Sequence, residues 1–600
     1  MGRPSRWTFT LAQFLTPAAL AFTCGCGGGA ANRPPADTEV RAATPNDAGA
    51  TPSAPASARR VVVSIVVDQF AAWIASERLP LLPESGGFAR LRREGTWVKQ
   101  LRYAHAVTDT APGHSALYTG ATPRESGIFS NETADASGAR ISILTDASSR
   151  IVAGDGPGKS PSSSSARLKV DTVADAFRAA RPDALIVSVS LKDRGAIFGG
   201  GRRPTASLWY DAGSDRMVTS SAFAETFPEW AKKWTSREAM SAIRASRWEP
   251  LDAEWIRAHA ASPDAQPGEG NPPGFGAVFP HDPSQAKPPA MGIRLSPQTD
   301  QALIRLGLTA LDAENARGRD TLLAVSFSTP DYVGHVFGPD SWEAWDELRR
   351  LDGALAQFFK ELDTRFGPDG YAVVLAADHG TAPLPELKAE ARPWCRAGAG
   401  PDPWERPCKG GERLLSDDLA RELGAAAQKA LGEGGWILGV ADPYVVLTDK
   451  GRALIASTAA AEKARAAKLS EVIRKTLLAH PGVLSVRGKA EGIAAAGKGG
   501  DDELIANSIS DDAGDYFIAT RPGSFFDPLY TPGFGSSHGT TNLYDRTVPL
   551  LVRAPKRVPA GAVQTAPVPF GAFAHTLADL LGVPAPPAAR NAPTLAEKAP

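Results

Sequence analysis

Apolar residues in this chain gather in short continuous runs, and most of these runs end abruptly at a charged residue. RRVVVSIVVDQF ends at Asp68, ALIVSVSLKDRG at Lys192 and Arg194, TLLAVSFSTPDYVGH near Asp331, YAVVLAADHG at Asp378 and His379, and TVPLLVRAP at Arg553. Continuous β-branched runs are typical of strands buried on both faces of a parallel sheet. The pattern therefore predicts several core strands whose last residues carry charge.

Helical periodicity fills the segments between these runs. SWEAWDELRRLDGALAQFFKELDTRFG and TDQALIRLGLTALDAENARG both repeat apolar residues at helical spacing. Strands that alternate with helices predict an α/β fold with a large, mostly parallel central sheet flanked by helices. Ligands collect at the carboxyl ends of the strands in such sheets. The first four of these runs place Asp, His, Lys or Arg at those ends, whereas TVPLLVRAP ends less tellingly at Arg553, just ahead of Pro555.

Composition along the chain indicates one main domain with two insertions. We assign residues 59–409 and 501–583 to the main domain. Residues 205–298 are rich in Trp, Pro and Gly and form a candidate lid. Residues 410–500 follow the order helix, strand, helix, strand, which predicts an inserted α+β subdomain. Residues 584–600 are predicted to be a flexible tail.

The first residues have the composition of an export signal. Residues 1–26 begin with two arginines, continue with an apolar stretch and end in small residues around Cys24 and Cys26. This pattern resembles a bacterial lipoprotein signal, with plain secretion and two incidental cysteines as the alternative. Residues 27–58 hold few large apolar side chains, so we predict a disordered tether. We expect contact with a membrane only through a lipid anchor near the amino terminus.

Charge and cysteine content narrow the class of protein further. The formal net charge of −1 argues against a nucleic-acid-binding protein, which usually carries a basic face. Beyond the signal, the only cysteines are Cys395 and Cys408, and the segment between them contains no histidine. A zinc site would need two more ligands nearby, so we favour a disulfide, which an exported protein can keep.

Seven residues are candidate metal ligands. Carboxylates and imidazoles together suit Zn²⁺ and similar ions, and the candidates are Asp68, Thr110, Asp331, His335, Asp378, His379 and His538. Each has an ordinary alternative, such as a helix cap or a solvated neighbour. Adjacent Asp378 and His379 can share an ion only if the chain turns after the strand, which Gly380 permits. The set as a whole, mostly near strand ends, predicts a metal centre. We expect His105, His114 and His575 to be packing residues.

The stretch TDTAPGHSALYTG predicts a hydroxyl at the start of a helix. Thr110 precedes Pro112, and proline is tolerated in the first turn. The free N–H groups of a helix start favour an anion, and a metal ion on the same oxygen would lower the pKa of the alcohol. Thr110 is therefore a candidate nucleophile. Two alternatives stay open: that Thr110 only caps the helix, and that Thr108 is the reactive residue.

These motifs together resemble the alkaline phosphatase superfamily. The resemblance rests on TDTAPGHSALYTGATPRESGIFSN, on the series D…TPDYVGH…ADHG…SSHG, and on SLKDRG, and it covers roughly residues 60 to 580. Within the superfamily the chain is similar to the type I phosphodiesterase/nucleotide pyrophosphatase branch and, inside it, to the phosphate-irrepressible (PafA-like) alkaline phosphatases. The resemblance implies a catalytic main domain and small phosphate monoesters as substrates.

The resemblance also implies roles for individual residues. Two Zn²⁺ ions would be held, one by Asp331, His335 and His538, and the other by Asp68, Asp378, His379 and Thr110. Thr110 would be the nucleophile and form a phosphothreonine intermediate. Asn131 matches a contact to a phosphate oxygen, and Lys192 with Arg194 matches the pair that marks monoesterases in this branch.

Three other functions compete with a monoesterase. A phosphodiesterase or nucleotide pyrophosphatase would use the same metals without the Lys192 and Arg194 pair. A sulfatase needs an oxidisable Cys or Ser nucleophile, and TDTAPGHS offers no cysteine and only a serine after the histidine. A non-catalytic metal- or phosphate-binding lipoprotein would be expected to have lost some ligands, whereas all seven are present. The oligomeric state has no signature in the sequence.

Overall fold

The computed structural model describes residues 59–597 except 136, 389–391, 397, 433 and 528–531. Its strands are β1 (Val61–Val67), β2 (Thr96–Arg102), β3 (Glu132–Ala134), β4 (Arg140–Ser142), β5 (Thr145–Ala153), β6 (Gly156–Ser163), β7 (Leu185–Ser190), β8 (Ala206–Asp211), β9 (Arg216–Ser220), β10 (Thr321–Phe327), β11 (Ala372–Ala376), β12 (Arg413–Leu414), β13 (Ile437–Ala441), β14 (Tyr444–Leu447), β15 (Val483–Gly488), β16 (Tyr516–Thr520), β17 (Phe525–Phe526), β18 (Thr547–Arg553), β19 (Ala562–Gln564) and β20 (Val568–Pro569).

The helices lie between these strands. They are α1 (Ala72–Arg78), α2 (Gly87–Glu94), α3 (Thr110–Thr119), α4 (Pro123–Ser126), α5 (Val173–Ala180), α6 (Asp193–Gly200), α7 (Lys232–Thr235), α8 (Arg237–Arg244), α9 (Ala253–His259), α10 (Pro289–Arg294), α11 (Pro297–Ala313), α12 (Thr329–Phe337), α13 (Trp342–Phe366), α14 (Ser416–Leu431), α15 (Asp449–Ala456), α16 (Ala460–Leu478), α17 (Lys489–Ala494), α18 (Gly500–Ser508), α19 (Leu543–Arg546) and α20 (Gly571–Leu581). Single 3₁₀ turns occupy Leu79–Leu81, Glu229–Ala231, Pro283–Gln285, Ala316–Gly318, Pro393–Cys395 and Pro587–Ala589.

A twelve-stranded sheet forms the centre of the molecule, in the order β19-β2-β18-β11-β1-β10-β7-β8-β9-β5-β6, with β20 also paired to β2. The five strands β11, β1, β10, β7 and β8 run parallel to one another, whereas β18 and β9 flank them in antiparallel pairs. The predicted α/β class with a mostly parallel central sheet is confirmed.

The central strands are buried along their whole length, as their continuous apolar runs predicted. Every residue of β1, β7, β10 and β11 is buried. The polar exception in β1, Ser64, is satisfied by a hydrogen bond to the Tyr118 hydroxyl of α3 at 2.8 Å. Because β11, β1, β10 and β7 are parallel neighbours, their carboxyl ends all meet at one edge of the sheet.

The inserted subdomain has a sheet and an apolar core of its own. Strands β13, β14, β16 and β15 form a four-stranded antiparallel sheet. Helices α14 and α16 cover it, and Leu423, Ile473 and Ile518 are buried between the layers. Because β16 ends at Thr520, the unit extends past residue 500, where the sequence had placed its end. The sequence did not reveal the last strand, β16, because the helices α17 and α18 separate it from β15 in the chain.

The segment 205–298 does not form a single lid. Its first part supplies β8 and β9 to the central sheet. Its later part packs against the main body, where Trp248 is fully buried and its indole N–H donates to Asp346 of α13 at 2.6 Å. Tryptophan and proline in this segment therefore reflect burial against α13, which composition alone could not distinguish from a mobile cover.

The carboxyl-terminal segment is packed, in contrast to the predicted tail. Ala589 is fully buried, and the main-chain N–H of Leu595 donates to Thr576 at 3.0 Å. A Cβ atom at Gly120 would lie 2.5 Å from that of Ala589, so the two segments touch closely. Small alanine side chains suit this narrow contact. A segment rich in alanine and poor in large apolar residues nevertheless has the composition of a flexible linker, which is why the sequence predicted a tail.

Other sequence-based expectations concern the ends and the cysteines. The predicted signal 1–26 and tether 27–58 lie outside the described residues. Cys395 and Cys408 form a disulfide, with Cα atoms 5.5 Å apart. Among the helices that the structure describes, none is both long enough and apolar enough to cross a membrane.

Deleting residues 585–600 should destabilise the protein if the carboxyl-terminal contact is structural. The deletion exposes the surface under Ala589 and Ala596, and we expect a loss on the order of 2 kcal/mol in the free energy of unfolding. Urea unfolding followed by fluorescence measures it. A deletion of residues 598–600 alone serves as the control. Equal midpoints for the two deletions would contradict the packed tail.

Candidate active site and metal centre

Four neighbouring strands deliver charged side chains to one edge of the central sheet. Asp68 follows β1, and Lys192 follows β7 directly before α6. Asp331 lies in the first turn of α12, two residues into the helix that follows β10. Asp378 follows β11, which ends at Ala376, so the chain has already left the strand when it reaches Asp378 and His379. The predicted turn there is present.

Helix α3 brings the Thr110 hydroxyl to the same edge. Thr110 is the first residue of α3 and is 1% exposed. The helix approaches β11 so closely that a Cβ atom at Gly113 would lie 2.1 Å from the Asp378 carbonyl oxygen. The Lys192 ammonium donates to the Thr110 hydroxyl at 3.1 Å. Thr108, the rival residue, instead donates to the Thr540 carbonyl at 3.4 Å.

Asp331, His335 and His538 form the first group of candidate metal ligands. The three offer ligand atoms that all lie within 4.8 Å of one another. His335 and Asp331 share one face of α12, with Nε2 and Oδ1 3.2 Å apart. His538 comes from the loop before α19, and its Nε2 lies 3.2 Å from Nε2 of His335.

Asp68, Asp378 and His379 form the second group. His379 Nε2 lies 3.3 Å from Asp68 Oδ1 and 3.5 Å from Asp378 Oδ2. Asp331 is also within reach of this group, since its ligand atoms lie within 4.8 Å of those of Asp68 and His379. Lys192 sits between the two groups, 2.7 Å from Asp68 and 2.5 Å from Asp331.

The three histidines are oriented as metal ligands are. In each, Nδ1 faces a main-chain carbonyl: that of Ser536 for His335, Gly380 for His379 and Thr108 for His538, at 2.8, 2.9 and 2.9 Å. This network assigns the proton to Nδ1 and turns the Nε2 lone pair toward the centre. Two lone pairs facing each other at 3.2 Å require a shared cation, which is either a proton or a metal ion.

Unsatisfied buried atoms point to the same cation. Both carboxylate oxygens of Asp68, Oδ2 of Asp378 and Nε2 of His379 are buried and receive no well-directed hydrogen bond. Burial, with the neighbouring carboxylates of Asp331 and Asp378, raises the pKa of Asp68. Buried charges of this kind are stable when they coordinate a metal. The residues present therefore fit a metal-binding site, with two overlapping groups of candidate ligands that share Asp331.

The residues predicted to contact phosphate open onto one cavity of about 200 Å³. Thr110, Asn131, Lys192 and Arg194 all line it. The Asn131 side-chain carbonyl accepts a hydrogen bond from the main-chain N–H of Ala111 at 2.8 Å, which fixes it beside the start of α3. The cavity therefore brings together a hydroxyl, an amide and two cationic side chains.

The sequence analysis missed three residues that hold the ligands in place. His114, expected to be a packing residue, contacts Asp378 with its Nδ1 at 3.0 Å from Oδ2. Gln69 donates to Asp331 at 3.0 Å and to Asp378 through its main-chain N–H at 3.2 Å. Asp109 contacts Nδ1 of His538 at 3.1 Å. His114 is one helical turn after Thr110, and this spacing was the available signal.

The position of the Gln69 side chain explains the glycine, Gly334, in the motif DYVGH. The φ angle of Gln69 is +65°, a region unfavourable for a residue with a side chain. A Cβ atom at Gly334 would lie 1.8 Å from Oε1 of Gln69, so only glycine leaves room for it in DYVGH. No sequence pattern links two residues this far apart in the chain.

The remaining wall of the cavity, here called the roof, comes from outside the central sheet. It consists of Glu132, Arg140, Ser416, Asp442, Phe526 and Asp527. The first two lie on the β3–β4 hairpin, and the other four lie in or beside the inserted subdomain. No described residue of the candidate lid 205–298 lines this cavity. Ser416 and Asp442 of the subdomain line this cavity, whereas Trp209 and Arg294 of that segment line a neighbouring cavity together with Lys192 and Arg194.

The central sheet, with candidate metal ligands at its carboxyl edge, has the fold of a PafA-like alkaline phosphatase, as comparison with known proteins shows. The solved structure of the alkaline phosphatase PafA superimposes with a TM-score of 0.75, 24% identity, and coverage of 91% of this chain and 99% of that one. The alkaline phosphatase PhoK of Sphingomonas sp. is 30% identical over 506 residues, 82% of this chain and 83% of the relative. The alkaline phosphatase PhoV of Synechococcus elongatus is 29% identical over 505 residues, 82% and 84% of the two chains.

The family model for type I phosphodiesterase / nucleotide pyrophosphatase matches residues 62–526. This chain therefore belongs to the type I phosphodiesterase/nucleotide pyrophosphatase family, within the alkaline phosphatase superfamily that its motifs resemble.

Removing His538 should cost the protein one metal ion. We expect His538→Ala, loaded with Zn²⁺ and dialysed, to contain one ion per chain fewer than the wild type by elemental analysis. Zn²⁺ should also raise the unfolding temperature of the chelator-treated wild type, because a ligand that binds only the folded state stabilises it. His480→Ala, in the inserted subdomain, is the matched control. Full metal content in His538→Ala would refute the ligand assignment.

Proposed function

We propose that this protein is an exported phosphate monoesterase of the alkaline phosphatase type, with two zinc ions and Thr110 as its nucleophile. The observation that carries the proposal is the position of the Thr110 hydroxyl. It lies at the start of α3, 3.1 Å from the Lys192 ammonium, in the cavity that Arg194 and the ligand histidines His335 and His538 also line. The names of the relatives PhoV and PhoK, both alkaline phosphatases, support monoester hydrolysis.

The two ligand groups would divide the metals between them. Asp331, His335 and His538 would hold one zinc ion, whereas Asp68, Asp378, His379 and the Thr110 oxygen would hold the other. Bound together, the ions would lower the pKa of the alcohol and offset charge on the attacking and leaving oxygens. Three aspartates and an ionised threonine balance the four positive charges.

Thr110 would carry the phosphoryl group between two displacements. Its Oγ forms a bond to phosphorus while the ester P–O bond breaks, and the electron pair leaves with the alcohol. The hydroxyl proton of Thr110 passes to water, and the departing alkoxide takes up a proton. Water then attacks the phosphothreonine, which returns the Thr110 hydroxyl and inorganic phosphate.

Lys192, Arg194 and Asn131 would bind the phosphoryl oxygens. A monoester presents a dianion with three free oxygens, and charge-assisted hydrogen bonds are roughly twice as strong as neutral ones. Two cations beside Thr110 therefore favour the dianion over the singly charged diester. The N–H groups at the start of α3 add to this preference.

Two segments that take no part in the proposed catalysis support export. Residues 1–26 have the composition of a lipoprotein signal. The Cys395–Cys408 disulfide suits an oxidising compartment. We therefore place the protein in the periplasm or on a membrane through a lipid on Cys24 or Cys26.

Thr110→Ala should lower kcat for a phosphate monoester by on the order of a thousandfold or more, because the only nucleophile is removed. Metal content and unfolding temperature should stay near those of the wild type. Thr110→Ser keeps the hydroxyl and should retain measurable activity. Mass spectrometry of acid-quenched wild type should find phosphate on the peptide that contains Thr110. Thr108→Ala is the matched control, and loss of turnover in that variant alone would transfer the role to Thr108.

The double change Lys192→Ala with Arg194→Ala should lower kcat/KM for a monoester by on the order of a hundredfold, since removing one charge-assisted hydrogen bond from a dry site costs about tenfold or more. Hydrolysis of a matched diester should change much less. The measurement is kcat/KM for both esters at one pH with saturating Zn²⁺, and Arg203→Ala, an exposed neighbour, is the control. Equal losses on both esters would favour a phosphodiesterase instead.

A further inference from the structure

The roof has no part in binding metal or the phosphoryl oxygens under the proposed function. The cavity holds about 200 Å³, and its other walls are the ligands, Thr110 and the phosphate-binding residues. A leaving group that extends within this cavity away from the ligands contacts the roof. The roof can therefore determine which class of monoester is cleaved, provided that the proposed function is correct.

The acidic residue at the centre of the roof is rigidly held. Asp442 lies in the turn between β13 and β14, and its main-chain carbonyl accepts a hydrogen bond from Ser130 at 3.0 Å. Next to it, Tyr444 donates to the Ser508 carbonyl at 2.8 Å and packs edge-on against Phe129 at 5.7 Å between ring centres. These contacts tie the subdomain to the loop that carries Asn131. Asp442 therefore keeps its position over the cavity.

Most charged groups of the cavity other than Asp442 already have partners. Asp527 pairs with Arg413 at 3.2 Å, and Asp109 with His538 at 3.1 Å. Arg140 pairs with Asp417 at 3.3 Å and with Glu132 at 4.0 Å.

Asp442, by contrast, forms no ion pair with any residue that the structure describes. Burial and the nearby Asp109 raise the pKa of the Asp442 carboxyl, whereas His538 and Arg140 lower it.

Phe526 is the apolar member of the same roof. It is the last residue of β17 and is 3% exposed, and the carboxylate directly after it, Asp527, is already paired with Arg413. A short chain fits within a cavity of about 200 Å³.

We propose that the roof selects phosphate monoesters whose short leaving group carries an ammonium group, and that Asp442 is the residue that determines this preference. The phosphate lies against Lys192 and Arg194, and the ammonium lies against Asp442. The site is therefore polarised, with cations around the phosphate and an acidic roof around the leaving group. Leaving groups that carry a carboxylate are disfavoured.

Three esters of similar size test the preference: 2-aminoethyl phosphate, ethyl phosphate and carboxymethyl phosphate. The zinc-loaded wild type should have its highest kcat/KM for the aminoethyl ester and its lowest for the carboxymethyl ester. Asp442→Asn should lower the ratio of kcat/KM for the aminoethyl ester to kcat/KM for the ethyl ester by about tenfold. The same variant should raise kcat/KM for the carboxymethyl ester relative to that for the ethyl ester. Comparing ratios between wild type and variant cancels the intrinsic reactivity of each ester.

Asp449→Asn is the matched control, because it removes the same charge from a side chain of the same subdomain that is 99% exposed. Unchanged ratios in Asp442→Asn would overturn the proposal. An equal loss on all three esters would also overturn it, by giving Asp442 a positioning role. The wild-type order is a second test that needs no variant: a carboxymethyl ester cleaved as well as the aminoethyl ester would refute it. If no ester at all were cleaved, the proposed function itself would fail.

Discussion

The crowding of three buried aspartates at one edge of the sheet is the constraint on which the rest of this structure depends. Asp68, Asp331 and Asp378 follow three adjacent parallel strands, so the register of the sheet forces them together. Like charges this close cannot all be ionised without cations. Lys192 supplies one positive charge between two of them. The remaining negative charge makes this edge a site for divalent cations, and the three histidines complete it.

The second requirement is that a hydroxyl reach the same place, and helix α3 meets it by close packing. Gly113 lets the helix lie against the Asp378 carbonyl, and its first residue, Thr110, then faces the aspartates. His114, one turn later, contacts Asp378 from the same helix. One short helix thus places the candidate nucleophile, the N–H groups that favour an anion, and a side chain that contacts a candidate ligand.

The molecule separates the reaction from the choice of substrate. Under the proposed function, α3 and the segments that follow the central strands would supply the nucleophile and most of the metal ligands, while loops add His538 and Asn131. The inserted subdomain and the β3–β4 hairpin supply the roof, fixed by contacts such as Ser130 to Asp442. Because the subdomain has its own apolar core, its surface over the cavity can change without disturbing the metal site. Such an arrangement lets one chemistry serve different leaving groups.

The sequence by itself determined the fold class, the core strands and the identity of the seven candidate ligands, because continuous apolar runs and charged strand ends are local patterns. It could not show that Gln69 lies against Gly334, that Asp442 reaches the cavity, or that the first part of residues 205–298 joins the central sheet. The first two of those facts depend on contacts between segments hundreds of residues apart. The alanine-rich end was misjudged for a related reason: whether a small side chain is buried is decided by the surface it meets. Tertiary packing alone determined these contacts, because the local sequence around one residue does not indicate which distant residue it will contact.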